Sequence, residues 1–152
     1  KPSDWPTGTS PRSLSVWLLT SSIATGYRAP VAYGTAGGGQ AMCIAQNGTT
    51  ICGSGYGSDL SVSDFWEVDV WYHVCLTYDG TTARLYANGV ELASGERAWN
   101  LVLSVARIGQ QINDSFEFWV GKIDEVRLYN RVLTAEEIAW LAGRTGSMPK
   151  AF

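Results

Sequence analysis

The 152-residue chain is short of charge, histidine and long apolar runs, and each shortage closes off a class of function. Charged residues make up 16% of it, eleven basic against fourteen acidic, and neither sign gathers into a block. With a formal net charge of −3 there is no cationic footprint for a polyphosphate, so nucleic acid is not expected as a partner. Apolar runs such as SVWLL (15–19) fall far short of the roughly 20 residues a membrane helix requires, so no membrane insertion is expected. A single histidine, His73, leaves no His-rich metal site, and a Ser-His-Asp hydrolase would have to take that residue as its base. A packed or hydrogen-bonded strand histidine is the simpler reading. The chain begins at Lys1 without Met or an apolar signal core, and reads as a processed chain or an excised segment.

What the chain has in quantity is glycine (17), tryptophan and tyrosine (seven each) and apolar side chains, 45% in all. That is enough to bury a core in one domain, expected over 1–146 with a short tail over 147–152. Strand patterns recur at 13–20, 29–34, 40–46, 49–54, 71–78, 82–87, 90–94, 104–109 and 119–129, separated by turn chemistry such as GTAGGG, Asn47-Gly48, Asp79-Gly80 and Asn88-Gly89. In WYHVCLTY the set Tyr72, Val74, Leu76 and Tyr78 is wholly apolar, so one face of that strand points into a core. Many short strands at close spacing predict an all-β fold of two antiparallel sheets. One short helix is expected over 135–142: Thr134 and Glu137 have capping-box spacing, Ile138 and Leu141 supply an apolar side, and Gly143 stops it.

Three cysteines are placed informatively. In AMCIAQNGTTICG, an Asn47-Gly48 type I′ turn would set Cys43 opposite Cys52 at a non-hydrogen-bonded position, where Cα atoms approach to about 4.5 Å, within disulfide range. A Cys43–Cys52 disulfide is the expectation, with two reduced thiols side by side as the alternative. A disulfide would imply an oxidising compartment. Cys75 reads as a small buried hydrophobe.

The run GKIDEVRLYNRVLTAEEIAWLAG (121–143), preceded by WYHVCLTYDGTTARLYANGVELASG (71–95), resembles laminin-G-like domains of the concanavalin A-like jelly-roll superfamily, and LSVWLLT is similar to that family's early Trp-containing strand. About 130 residues are covered in order. The resemblance implies a two-sheet jelly-roll sandwich with one short C-terminal helix, in proteins that are mostly secreted or surface binding modules with sugars as their commonest ligands. It also implies core roles for Trp17 and Trp71, packing roles for Trp119 and Trp140, and an oxygen-ligand role for Asp124 towards Ca²⁺. Residues 1–12, KPSDWPTGTSPR, depart from the family, because they hold three prolines where an opening strand with further acidic donors is usual.

Two constellations remain. Glu67 and Asp69 in FWEVDVW have the spacing of a glycosidase Glu-x-Asp-x-x-Glu strand, but position 72 is Tyr, so the outer carboxylate pair is incomplete and no enzyme is expected. Trp5, Trp66 and Trp99 fall in loop-like contexts, and Tyr33 and Tyr56 lie near glycine-rich turns. With Gln110, Gln111 and Asn113 of GQQIND, they are candidates for stacking on and hydrogen-bonding to a glycan. The same aromatics could instead cap the sandwich or face a protein. The expected function is a non-catalytic, lectin-like adhesion module, extracellular or at the cell surface. The alternative is an assembly subunit that self-associates through an open sheet edge, with 1–12 or 144–152 as the exchanged strand.

Overall fold

A computed structural model describes residues 4–113 and 117–143, so the expected tail at 147–152 and the whole of the candidate exchange strand at 144–152 lie outside the described residues. Ten strands and one helix follow in order: β1 (Arg12–Thr20), β2 (Tyr27–Gly34), β3 (Ala41–Asn47), β4 (Thr50–Ser54), β5 (Asp59–Val62), β6 (Trp71–Tyr78), β7 (Thr82–Ala87), β8 (Val90–Glu96), β9 (Val105–Ile108), β10 (Gly121–Tyr129) and α1 (Ala135–Leu141). They form two five-stranded antiparallel sheets, a front sheet in the order β5-β4-β3-β2-β9 and a back sheet in the order β10-β1-β6-β7-β8. This is the expected jelly-roll sandwich. The strand absent from the sequence reading is β5, four residues of which only Leu60 is buried, too short to carry an alternation.

Period-two patterning builds the interior. Leu14, Val16 and Leu18 of β1 and Tyr72, Val74 and Leu76 of β6 face inward, meeting Met42, Ile44, Ile51 and Leu60 of the front sheet in one cluster. Each aliphatic side chain so buried contributes about 1.5–3 kcal/mol. The helix packs Ile138 and Leu141 on the opposite side of the back sheet, over Cys75, Tyr86 and Leu133. Its capping box is complete: the Thr134 hydroxyl accepts from Glu137 N at 3.2 Å and the Glu137 carboxylate accepts from Thr134 N at 2.9 Å. Arg131 grips the same carboxylate with both Nη atoms, at 2.7 and 2.9 Å.

The cysteine expectation fails, and the reason is register. The β3–β4 loop consists of Gly48 and Thr49, so Asn47 faces Thr50, Ala45 faces Cys52 and Cys43 faces Ser54. Gly48 alone takes a positive φ, 61°, as a II′ turn requires of its first loop residue, whereas the I′ pattern with both residues positive occurs at Asn88 (48°) and Gly89 (78°). Asn47 is held in the strand because its Oδ1 accepts from Gly26 N at 3.1 Å, and Thr49 O accepts from Phe65 N and Trp66 N. Cys43, Cys52 and Cys75 are all free and buried, and the argument for an oxidising compartment falls with the disulfide.

Among the described residues, 4–11 of the proline-rich opening segment form no strand before β1. Gly8 pairs with Leu101, and the Tyr33 hydroxyl donates to Pro6 O at 3.4 Å. The fully buried Arg12 donates to Gly8 O and Ser10 O at 3.0 and 2.9 Å while its guanidinium lies 4.7 Å from the Tyr78 ring centre.

Candidate functional site

The outer surface of the front sheet is paved with small side chains. Ala29, Ala32, Ala41 and Cys43 leave room for the 109–113 segment to lie down on the sheet, with Ile112, 4% exposed, pressed onto them. Gly109 N donates to Pro30 O at 2.7 Å and Trp119 N to Gly109 O at 2.8 Å, which closes the base of this segment. Gln111 is buried, and its Oε1 accepts from Ile112 N at 3.0 Å and from the Cys43 thiol at 3.5 Å. The segment is therefore a fixed wall.

Beside that wall lies a cleft of about 280 Å³. Gln111, Asn113 and Glu117 line one side, and Tyr27 contributes from β2, Tyr56 from the β4–β5 connection and Asp59 from the start of β5. Ser54 organises the floor, its hydroxyl donating to Asp59 Oδ1 at 2.5 Å and accepting from Tyr56 N at 2.9 Å. The second interaction fixes Tyr56 at φ 65°, a conformation seldom adopted outside glycine and asparagine. Tyr27 is 41% exposed, and its hydroxyl donates to Asp59 Oδ2 at 3.5 Å. Partial burial, then the neighbouring Cys52 and Asp59, push the Tyr27 phenol upward, so it stays a protonated donor at neutral pH. Burial likewise raises Cys43 and Cys52, which are thiols here rather than nucleophiles. The lining holds aromatic faces, hydroxyls, amides and carboxylates, and no basic side chain.

The expected site residues divide. Tyr56, Gln111 and Asn113 meet in this cleft, while Gln110 sits behind them in the bridge to Phe118. Trp66 and Trp99, expected on exposed loops, and Tyr33, expected to meet a glycan from beside a glycine-rich turn, are 3%, 0% and 2% exposed. Trp99 lies flat over Gly55, where a Cβ would collide with the indole, and donates Nε1 to Ser58 O at 3.0 Å. Trp66 is enclosed by Phe65, Tyr72 and Trp119 at centroid separations of 4.9, 5.5 and 5.6 Å. Trp5 packs edge-on against Tyr33 at 5.7 Å, away from the cleft. A loop context in sequence does not imply exposure when the loop folds back over the sandwich.

Tyr27, Asp59 and Glu117 went unread in the sequence. Tyr27 lies two residues before the expected strand at 29–34, and Asp59 closes the turn-rich GSGYGSD; only the sheet brings them together. A larger depression of about 710 Å³ runs past Thr9, Thr81 and Glu96, but its aromatics, Tyr78 and Trp99, are core residues. Arg97 there is engaged by the carbonyls of Glu96 and Asp59, both at 2.7 Å.

Asp124 lies on the other sheet, exposed, with Oδ1 accepting from Glu125 N at 2.8 Å. Calcium takes six to eight oxygens, and among the described residues no group of three or more His, Cys, Asp or Glu side chains gathers. Glu67 and Asp69 are solvent-facing in the turn before β6, and Tyr72, at the third-acid position, is a core residue.

Two sheets, an aromatic-and-amide cleft on one outer surface and a capped helix behind the other define a lectin-type jelly roll. The sequence bears this out: a family model described as the concanavalin A-like lectin/glucanases superfamily, of laminin-G type, matches residues 2–139, and the chain belongs to that family. No curated protein matches it. Among solved structures, it is similar to a candidate carbohydrate-binding protein of Bacteroides ovatus (20% identity, TM-score 0.71), covering 90% of this chain and 42% of that one. Domain 4 of AbnA, a GH43 extracellular arabinanase from Geobacillus stearothermophilus solved with arabinotriose, matches at 20% identity and TM-score 0.68, covering 90% and 68%. The CBM40 of Ruminococcus gnavus IT-sialidase, solved with α2,3-sialyllactose, matches at 14% identity and TM-score 0.71, covering 88% and 83%. At these identities the likeness is one of fold.

Proposed function

We propose that this chain is a non-catalytic carbohydrate-binding module, displayed outside the cell or on its surface, that takes a neutral glycan in the Tyr27–Tyr56 cleft. The observation that carries this is the cleft's chemistry. A sugar offers C–H faces for stacking and hydroxyls that both donate and accept, and this cleft supplies two tyrosines, side-chain amides and two carboxylates. Among the described lining residues Asp59 and Glu117 are the charged side chains, while Arg97 and Arg107 are turned to the backbone carbonyls of Asp59 and Gln111, which disfavours an anionic sugar, because a second carboxylate would meet like charge. Asp59 has both oxygens engaged by Ser54 and Tyr27, which supports binding rather than proton transfer. Extracellular display is supported by the extracellular arabinanase among the structural relatives.

The experiment is calorimetric titration with arabinotriose, lactose and α2,3-sialyllactose, with reducing-sugar release assayed in parallel. The expected result is saturable binding of a neutral ligand, weakened in Tyr27→Ala and Tyr56→Ala, with sialyllactose the poorest ligand and no product. Preference for sialyllactose would overturn the neutral assignment, and sugar release would overturn the non-catalytic one. A second reading, self-association, is favoured by Ile108, which is 64% exposed on β9 at the rim of the front sheet. Light scattering of a monomer over a wide concentration range would eliminate it.

A further inference from the structure

The back sheet carries a second cleft, of about 370 Å³, on its outer surface at the end away from α1. Its lining is Trp17, Trp71, Asp124 and Glu125. Inward alternation of Leu14, Val16 and Leu18, and of Tyr72, Val74 and Leu76, forces Trp17 and Trp71 outward, where Trp71 is 40% exposed. Trp17 is thus not the core residue that the family resemblance implies; half-buried, it stands directly across from Asp124 on β10 and His73 on β6. His73 packs edge-on against the Trp17 indole at 5.4 Å. The β1–β10 register slips between Ser15 and Trp17, and Glu125 takes φ 50° in that bulge, which brings a second carboxylate beside the first.

The polar inventory of this cleft differs in kind from that of the front cleft. Its two carboxylates only accept, and the indole faces present negative charge; no amide or hydroxyl lines it. A sugar hydroxyl network would find few donors there. A ligand that brings positive charge matches both the indole faces, by cation–π attraction, and the acids, by Coulomb attraction. Glu125 is paired with Arg127 at 3.0 Å, and the exposed Lys122 lies two residues along β10, so Asp124 is the acid left to meet the ligand's charge. We propose that the Trp17–Trp71–Asp124 cleft is a second binding site, for an organic cation such as a primary or methylated ammonium group, independent of the glycan cleft.

The test follows the two indole N–H signals of Trp17 and Trp71 by NMR during titration at constant ionic strength. Choline chloride and Nα-acetyl-lysine methylamide are titrated in separate arms, which distinguishes a quaternary headgroup from a protein ammonium. The neutral isostere 3,3-dimethylbutanol, a neutral oligosaccharide and CaCl₂ serve as controls. Saturable shifts with either cation, about ten-fold weaker in Trp71→Ala and in Asp124→Asn, are expected. Both substitutions are at exposed positions, and an unchanged urea midpoint confirms that each variant folds. Equal shifts with the neutral alcohol, saturation by the oligosaccharide or by Ca²⁺ alone, or no saturable shift with either cation would each overturn the proposal.

Discussion

The Ser54 hydroxyl donates to Asp59 at 2.5 Å and, through its lone pair, holds Tyr56 N at 2.9 Å, so one buried serine sets both the acid and the aromatic residue of the front cleft. Ser54→Ala removes both contacts at once. Glycan affinity is expected to fall five- to thirty-fold, corresponding to about 1–2 kcal/mol, and thermal stability only slightly. Calorimetry beside a melting curve checks it. A large loss of stability with unchanged affinity would show that the serine serves the fold instead.

Trp99 and Trp66 respond in the opposite sense. Each is enclosed by core residues, so Trp99→Ala and Trp66→Ala are expected to cost about 3–5 kcal/mol of stability. Urea denaturation measures this directly. A binding defect in either variant reports unfolding, and a stable Trp99→Ala would contradict the packing over Gly55.

His73 makes stability depend on pH. Its imidazole is 1% exposed, Nε2 lies 2.8 Å from Ser15 Oγ, and burial, followed by the nearby Arg127 charge, lowers it from 6.5 to about 4. The folded protein therefore holds the neutral ring where the unfolded chain would protonate it. The contribution is complete above about 6.5 and is lost as pH falls towards 4, amounting to on the order of 3 kcal/mol. Denaturant midpoints are expected to drop from pH 6.5 to 4.5 in the native sequence and to change little in His73→Gln. Parallel slopes would assign the acid sensitivity to carboxylates.

The three buried thiols, all raised by burial, are expected to resist a thiol reagent in the folded state and to react in full, three per chain, in denaturant. Reducing agent should leave the melting temperature unchanged. Two unreactive thiols in denaturant, recovered on reduction, would restore the Cys43–Cys52 bridge.

Local pattern carried the architecture. The alternation in WYHVCLTY, the Asn88-Gly89 turn and the Thr134–Glu137 box are each written within about ten residues, and each is present in the structure. The Cys43 register depended on which of two adjacent residues entered a turn, and that was decided by Gly26 N, Phe65 N and Trp66 N, groups distant in sequence. The front cleft was half legible: Tyr56, Gln111 and Asn113 came from loop composition, whereas Tyr27 meets Asp59 only through strand order. The position of Trp71 was readable, since Tyr72 pointing inward obliges its neighbour to point outward, but family analogy outweighed that alternation.

At seven residues, α1 is too short to persist by itself, and its place rests on Ile138, Leu141 and the Arg131–Glu137 grip. Should that grip loosen, the helix departs as one piece and strips Ile138 and Leu141 from Cys75, Tyr86 and Leu133. Under heat or acid, clumping of the protein should therefore start on the helix side of the back sheet, while the front of the molecule still holds its shape.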